Sequence, residues 1–123
     1  MPYAIVWKPD GVIIRYSGIV SYDENIAANG QLYGDPRFES IKYQIADFLT
    51  VTDFQISKKE SSIIGELDFQ STRWNSHIKV AHITQDNDII ERVKVYEETM
   101  KDTAWEFGIF NTMEEAQKWV EGK

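Results

Sequence analysis

The chain has 123 residues, of which 42% are hydrophobic and 27% charged, and its formal net charge is −7. This length and balance are typical of one soluble globular domain with one core, so we expect residues 1–123 to form a single domain. The acidic charge argues against a nucleic-acid or anionic-membrane binder, because neither partner would meet a basic face. The absence of cysteine excludes disulfides, thiol catalysis and cysteine-bound metals.

The beginning of the sequence, MPYAIVWKPDG, lacks the basic and apolar regions of a signal peptide. The sequence also has no apolar run that approaches the roughly 20 residues of a membrane helix. We therefore expect a cytoplasmic protein that does not insert into a membrane.

The predicted elements alternate between strands and helices. In chain order they are strands at Tyr3–Trp7 and Val12–Tyr16, a helix from Ser21 to about Tyr33, a strand at Tyr43–Leu49, a helix from Ser57, a strand at Ile78–Thr84, a helix from Asp88, a strand at Ala104–Phe110 and a helix from Thr112. The first two strands flank Lys8-Pro9-Asp10-Gly11, where proline and glycine favour a hairpin turn. Pro36 disfavours helix in the residue before it and ends the first helix.

Capping patterns set the helix starts. Ser21, Ser57 and Thr112 each precede a glutamate by three residues, as in a capping box, and Asp88 is the predicted cap of the third helix. Spacings of three and four residues predict the buried faces. These faces are Ile63, Ile64, Leu67, Ser71 and Trp74 in the second helix, Ile89, Ile90, Val93, Tyr96 and Met100 in the third, and Ala116, Trp119 and Val120 in the last.

Helices between successive strands favour right-handed crossovers and a parallel sheet. We therefore expect the strands near Tyr43, Val80 and Phe107 to be parallel in one sheet, with the opening hairpin as an antiparallel edge. The predicted fold class is α/β, with a single mixed sheet and helices packed on it.

Residues 11–48, GVIIRYSGIVSYDENIAANGQLYGDPRFESIKYQIADF, resemble the small bacterial SpoIIAA-like proteins of the STAS group (sulfate transporter and anti-sigma-factor antagonist). The similar features are the early hairpin, Gly18 at a strand end, the turn at Asp35-Pro36-Arg37-Phe38 and a strand ending in Asp47-Phe48. The resemblance implies a mixed α/β fold and a regulatory or binding role without catalysis.

The resemblance also implies a regulatory serine. In the antagonist branch a serine at the start of the helix after the central strand is phosphorylated within an Asp-Ser-Ser-Gly-like box. Here Asp53 is followed by Phe54, no glycine follows, and Ser57 is the nearest phosphorylation candidate. Because the box is broken at Phe54, we expect Ser57 to cap the helix and not to be phosphorylated.

A metal site is the first chemistry to consider. His77 and His82 lie near Asp86 and Asp88, but Asp86-Asn87-Asp88 lacks the oxygen spacing and glycine of a calcium loop. His82 is in strand register with apolar residues, which favours a hydrogen-bonded core histidine. We predict no metal and no cofactor.

Catalysis has little support in the sequence. It has no Gly-x-Ser-x-Gly elbow and no glycine-rich phosphate loop. Asp47 and Asp53 flank the predicted loop after the central strand and resemble an acid–base pair, but such residues more often form turns, caps or solvated contacts. We expect a protein that is not an enzyme, with Asp47 and Asp53 as loop residues available for interactions.

Four tryptophans, six tyrosines and six phenylalanines are many for a chain of this length. Trp105, Phe107 and Ile109 share one strand face, so core packing explains most of them. The remainder suits a homodimer surface or a small apolar pocket. Two functions stay open: a non-enzymatic regulatory or protein-interaction module that self-associates or binds another protein, and a binder of a small apolar ligand or lipid between sheet and helices.

Overall fold

The computed structural model describes residues 2–122, which form one five-stranded sheet with four α-helices. The strands are β1 (Tyr3–Trp7), β2 (Gly11–Ser21), β3 (Tyr43–Gln55), β4 (Lys79–Ile83) and β5 (Glu106–Phe110). The helices are α1 (Tyr22–Tyr33), α2 (Lys58–Ser71), α3 (Asn87–Thr99) and α4 (Met113–Val120), and a short 3-10 helix spans Pro36–Glu39.

The strands lie in the sheet in the same order as in the chain. β1 is antiparallel to β2, and the pairs β2–β3, β3–β4 and β4–β5 are all parallel. Tyr43 pairs with Lys79, and Val80 pairs with Phe107. The predicted mixed sheet with an antiparallel N-terminal hairpin is confirmed.

This strand order decides where the helices lie. α1, α2 and α3 each connect neighbouring parallel strands in the same direction, and right-handed crossovers put all such helices on one side of a sheet. They pack with Val12, Ile14 and Val80 on what we call the three-helix face. α4 packs instead with Ile13 and Ile45 on the opposite side, the α4 face.

β2 and β3 are longer than predicted. The predicted crossing loop after Leu49 is wrong, because β3 continues to Gln55 beside β2. Two irregularities interrupt their register, and Gly18 has a φ of +67°, which glycine adopts without strain. The threonines that resemble a loop in the sequence are good strand formers once a neighbouring strand pairs with them.

The buried face of α2 differs from the prediction. Leu67 and Trp74 are exposed, and the buried residues of the helix are Ser61, Ile64, Gly65, Asp68 and Ser71. Gly65 explains the rotation, because a Cβ there would lie 2.7 Å from the Cβ of Thr99 on α3. Small residues therefore face α3 and allow the two helices to pack closely.

Most predicted helix caps are confirmed. Ser21 and Ser57 form complete capping boxes, and the hydroxyl of Thr112 accepts the backbone N–H of Glu115. Asp88 is not the cap of α3: Asp86 is, and its carboxylate accepts the N–H groups of residues 88 and 89. Asp86 still has an extended backbone, so α3 begins at Asn87, one residue before Asp88.

Candidate functional site

Asp47, predicted to flank a loop, lies inside β3 on the α4 face. Its Oδ2 is 3.2 Å from Nε of Arg15, and its Oδ1 accepts the N–H of Leu49 at 3.0 Å. The register irregularity in this part of β3 separates that N–H from the regular ladder with β2. The carboxylate of Asp47 therefore satisfies a backbone donor and an ion pair within the sheet.

Asp53 lies on the same strand and is exposed. Its carboxylate accepts a hydrogen bond from Nε2 of Gln55 at 2.7 Å. It lies six residues after Asp47 along the strand, a distance of about 20 Å. The structure therefore does not bring the two carboxylates together as an acid–base pair.

Ser57 is the N-cap of α2. Its Oγ accepts the N–H of Glu60 at 3.1 Å, and a carboxylate oxygen of Glu60 accepts the N–H of Ser57 at 2.9 Å. The predicted cap is confirmed, whereas the phosphorylation state of this exposed serine stays a prediction.

The α4 face is only partly covered. α4 packs on the part around Ile13, Ile45 and Ile83, and the described helices leave the rest of this face open. Strand alternation and pairing place the following residues on the uncovered part, which we call the open sheet face: Ala4, Val6, Arg15, Ile19, Asp47, Thr50 and Asp53. Parallel strands usually have both faces covered, so this exposure is uncommon.

A cavity of about 50 Å³ lies on the other side of the sheet, beneath α1, α2 and α3. Its walls come from three strands and all three helices, and many of the side chains are polar. They are Tyr16, Asn25, Asn29, Gln44, Ala46, Phe48, Phe54, Ile56, Ser61, Ile64, Asp68, His82, Arg92, Val93 and Tyr96. The predicted pocket between sheet and helices is therefore present, but its lining is mixed instead of apolar.

Asp68 is the centre of the polar cluster beside the cavity. It is 3% exposed, and Oη of Tyr96 donates to its Oδ2 at 2.6 Å. Tyr33 and the side-chain amide of Asn29 donate to its Oδ1. Burial raises the pKa of Asp68 to about 7, and the hydrogen bond from Tyr96 opposes the shift. The same burial and the nearby carboxyl group raise the pKa of Tyr96.

His82 is the second buried titratable group. Its ring stacks on Phe48 with 6.1 Å between ring centres. Within residues 2–122, its Nδ1 is buried without a hydrogen-bond partner, so the predicted core position is confirmed and the predicted hydrogen bond is wrong. Burial lowers the pKa of His82 to about 4, because a charged imidazolium would lose its hydration there.

Sequence reasoning missed Asn25, Asn29 and Asp68. Asn25 and Asn29 are one turn apart on α1, and Asn25 donates to Oη of Tyr16 at 3.2 Å. The sequence did contain a signal for these two residues: two amide side chains spaced by four residues, on the helix face that packs against the sheet. Asp68 had no such signal, because its partners come from α1 and α3.

The four residues considered as metal ligands do not come together in the structure. Among residues 2–122, no group of three or more histidine, aspartate or glutamate side chains is arranged to hold a metal ion. His77 is exposed and pairs with Glu106 at 3.0 Å, far from the helix-covered position of His82. None of the described helices is long and apolar enough to cross a membrane.

Comparisons with known proteins identify the fold. No family model matches the chain, and no curated protein matches it. Among solved structures, an uncharacterized protein of the DUF3478 family from Shewanella loihica PV-4, described as having a SpoIIAA-like fold, is similar with a TM-score of 0.59. The alignment has 15% identity and covers 96% of this chain and 91% of the other. The predicted SpoIIAA-like fold is thereby confirmed.

Proposed function

We propose that this domain is a non-enzymatic regulatory or protein-interaction module, and that it binds its protein partner through the open sheet face. The observation that carries the proposal is exposed apolar surface on this face. Val6 and Ile19 are 43% and 57% exposed on it. Apolar patches of this kind mark interaction sites, and the SpoIIAA-like fold supports a regulatory role by analogy.

The partner that fits this face best is a second copy of the chain. Arg15, whose side chain is 53% exposed, lies on the same patch as the exposed Asp53. A two-fold symmetric contact lets the cation of each copy meet an acidic group of the other, and cyclic dimers are the commonest homo-oligomers. The proposal thus gives the homodimer that the sequence suggested one surface, the open sheet face.

Sedimentation velocity over a wide micromolar range tests this proposal. We expect a dimer of the 14.3 kDa chain in the wild type and a monomer in Ile19→Glu, because two buried carboxylates cannot be solvated in the contact. Leu67→Glu is the matched control, since Leu67 is 45% exposed on α2, away from the open sheet face. A wild-type monomer throughout, or equal loss in both variants, contradicts self-association through this face.

The second candidate function is ligand binding between sheet and helices, which the cavity favours. A volume of about 50 Å³ suits a few atoms and not a lipid chain. Its polar lining likewise favours a different ligand from the apolar one that we predicted.

A further inference from the structure

We propose that the cavity beneath α1, α2 and α3 binds a small uncharged molecule that both donates and accepts hydrogen bonds, such as a primary amide. The cavity volume of about 50 Å³ gives room for about four water molecules, or for a ligand of about as many non-hydrogen atoms. The cavity lies on the opposite side of the sheet from the open sheet face. The inference therefore does not depend on self-association.

An unused hydrogen-bonding group on the cavity wall carries the proposal. Nδ1 of His82 has no partner within residues 2–122, although the residue is only 8% exposed. Gln44 and Ser61, 7% and 4% exposed, also line the cavity and supply an amide and a hydroxyl beside this imidazole. Buried polar groups are normally paired, so the unpaired imidazole nitrogen of a residue that lines this space indicates a polar occupant.

The charges around the cavity favour an uncharged ligand. A cation would find no free carboxylate, because the oxygens of Asp68 already accept hydrogen bonds from Tyr33, Tyr96 and Asn29. An anion would have to compete for the one lining cation, Arg92, whose Nε donates to the carbonyl of Ile56 at 3.1 Å and whose Nη1 lies 3.7 Å from a carboxylate oxygen of Glu91. A neutral imidazole, an amide and a hydroxyl can together donate to and accept from one neutral molecule.

The entrance lies where Phe54 and Arg92 line the cavity. These two side chains are partly exposed, whereas the other lining residues are buried. Rotation of Phe54 or Arg92 gives a molecule of this size a path from solvent without separating the helices from the sheet.

Acetamide, acetate and acetamidinium form a test set of nearly equal shape and different charge. The measurement is the change in the methyl NMR signals of Ile64 and Val93, which line the cavity, as each compound is added. For four non-hydrogen atoms the ligand-efficiency limit allows a dissociation constant of about 40 μM at best, and we expect a millimolar value for acetamide. Acetate and acetamidinium should bind at least about tenfold more weakly, as expected when a charge loses its hydration without a partner.

Substitution of His82 supplies the residue-level test. His82→Phe keeps a ring on Phe48 but removes the nitrogen atoms, so acetamide should bind at least about tenfold more weakly. His77→Phe, at the exposed histidine, should leave acetamide binding unchanged. If His82→Phe does not fold, Ala46→Val replaces it, because the added carbon atoms fill the cavity, and it should weaken acetamide binding equally.

Three results overturn the proposal. The first is no saturable acetamide shift in the folded wild-type protein, which means that the cavity holds only water. The second is binding of acetate or acetamidinium as tight as that of acetamide. The third is unchanged acetamide binding in the folded His82→Phe or Ala46→Val variant.

Discussion

The two faces of the sheet are covered differently and bury different chemistry. The three-helix face encloses a polar cluster that includes Asn29, Asp68 and His82. The α4 face has a small apolar core under one eight-residue helix and leaves the remaining sheet open. Burying polar groups is costly, and the large apolar area under three helices offsets that cost. The proposed ligand site lies on the covered face, and the proposed protein contact lies on the open one.

The largest expected effect is the pH dependence of stability that the two buried titratable groups of the three-helix face contribute in opposite directions. The pKa of Asp68 is raised from 3.8 to about 7, so its contribution to stability is full below about pH 4 and is lost as the pH rises through 7. The pKa of His82 is lowered from 6.5 to about 4, so its contribution is present above pH 6.5 and is lost as the pH falls through 4. In the wild type the two dependences nearly cancel between these limits.

Substitution of one group should reveal the pH dependence of stability that the other group contributes. Relative to wild type, the free energy of unfolding of Asp68→Asn should rise by about 4 kcal/mol as the pH rises from about 4 to 7. That of His82→Phe should rise by about 3 kcal/mol as the pH falls from about 6.5 to 4. Urea unfolding at a series of pH values measures both.

The matched controls are substitutions of an exposed aspartate, Asp53, and an exposed histidine, His77. Asp53→Asn and His77→Phe should each change the free energy of unfolding by less than about 0.5 kcal/mol. If the differences between wild type and the Asp68 and His82 variants do not change with pH, the two buried groups titrate alike in the folded and unfolded chain, and the contrast between the faces is lost.

The second effect tests how tightly the three-helix face is assembled. In Gly65→Ala the new Cβ meets Thr99 at 2.7 Å and the carbonyl oxygen of Tyr96 at 3.3 Å. We expect a loss of about 2 kcal/mol, because the overpacking outweighs the higher helix propensity of alanine. Thermal unfolding measures the change.

Gly30→Ala is the control, because a Cβ at this position of α1 meets nothing within 4 Å. It should stabilise the protein by about 0.5 kcal/mol through the unfolded chain. Equal gains in the two variants would show that α2 and α3 are not in close contact.

The smallest expected effect concerns Ser57, where the chain leaves β3 and passes to the three-helix face. Ser57→Ala should cost about 1 kcal/mol, because the N–H of Glu60 loses its acceptor. Ser57→Asp should be nearly neutral, since aspartate also caps and favours the helix dipole. Urea unfolding compares both with Ser62→Ala inside α2, which should change stability by less than about 0.5 kcal/mol.

Stability does not distinguish a cap from a phosphorylation site, so Ser57 needs a second measurement. Intact-mass analysis of protein from its native host should show no added phosphate. A stoichiometric phosphate mapped to Ser57, with partner binding lost in Ser57→Asp, contradicts the prediction and favours the antagonist mechanism.

The fold could be predicted because its signals are local. The turn at Lys8–Gly11, the caps at Ser21 and Ser57 and the alternation of strands and helices each lie within a short stretch of chain. The topology then follows from general rules of chain connection. The bounds of β3 could not be predicted, because its second half is a strand only beside the second half of β2.

The candidate sites depend on contacts between distant residues. Asp68 resembles a surface residue of α2 until Tyr33 and Tyr96 approach from two other helices. The prediction of the inward face of α2 was wrong because this face is also set by contacts between distant residues. Leu67 faces solvent, and Gly65 faces α3. Asp47 and Asp53 were noticed as acidic residues, but their shared sheet face became visible only once β3 was known to continue.

The agreement between strand order and chain order has a consequence for synthesis. After the hairpin, each new strand adds beside the one made just before it, so no later strand has to insert between two earlier ones. α4 is made after all five strands, and Ile45, Ala81 and Ile83 stay uncovered until Met113–Val120 has left the ribosome. Exposed apolar surface makes partly folded chains prone to aggregate. The α4 face is therefore the surface of the nascent chain that most needs a chaperone.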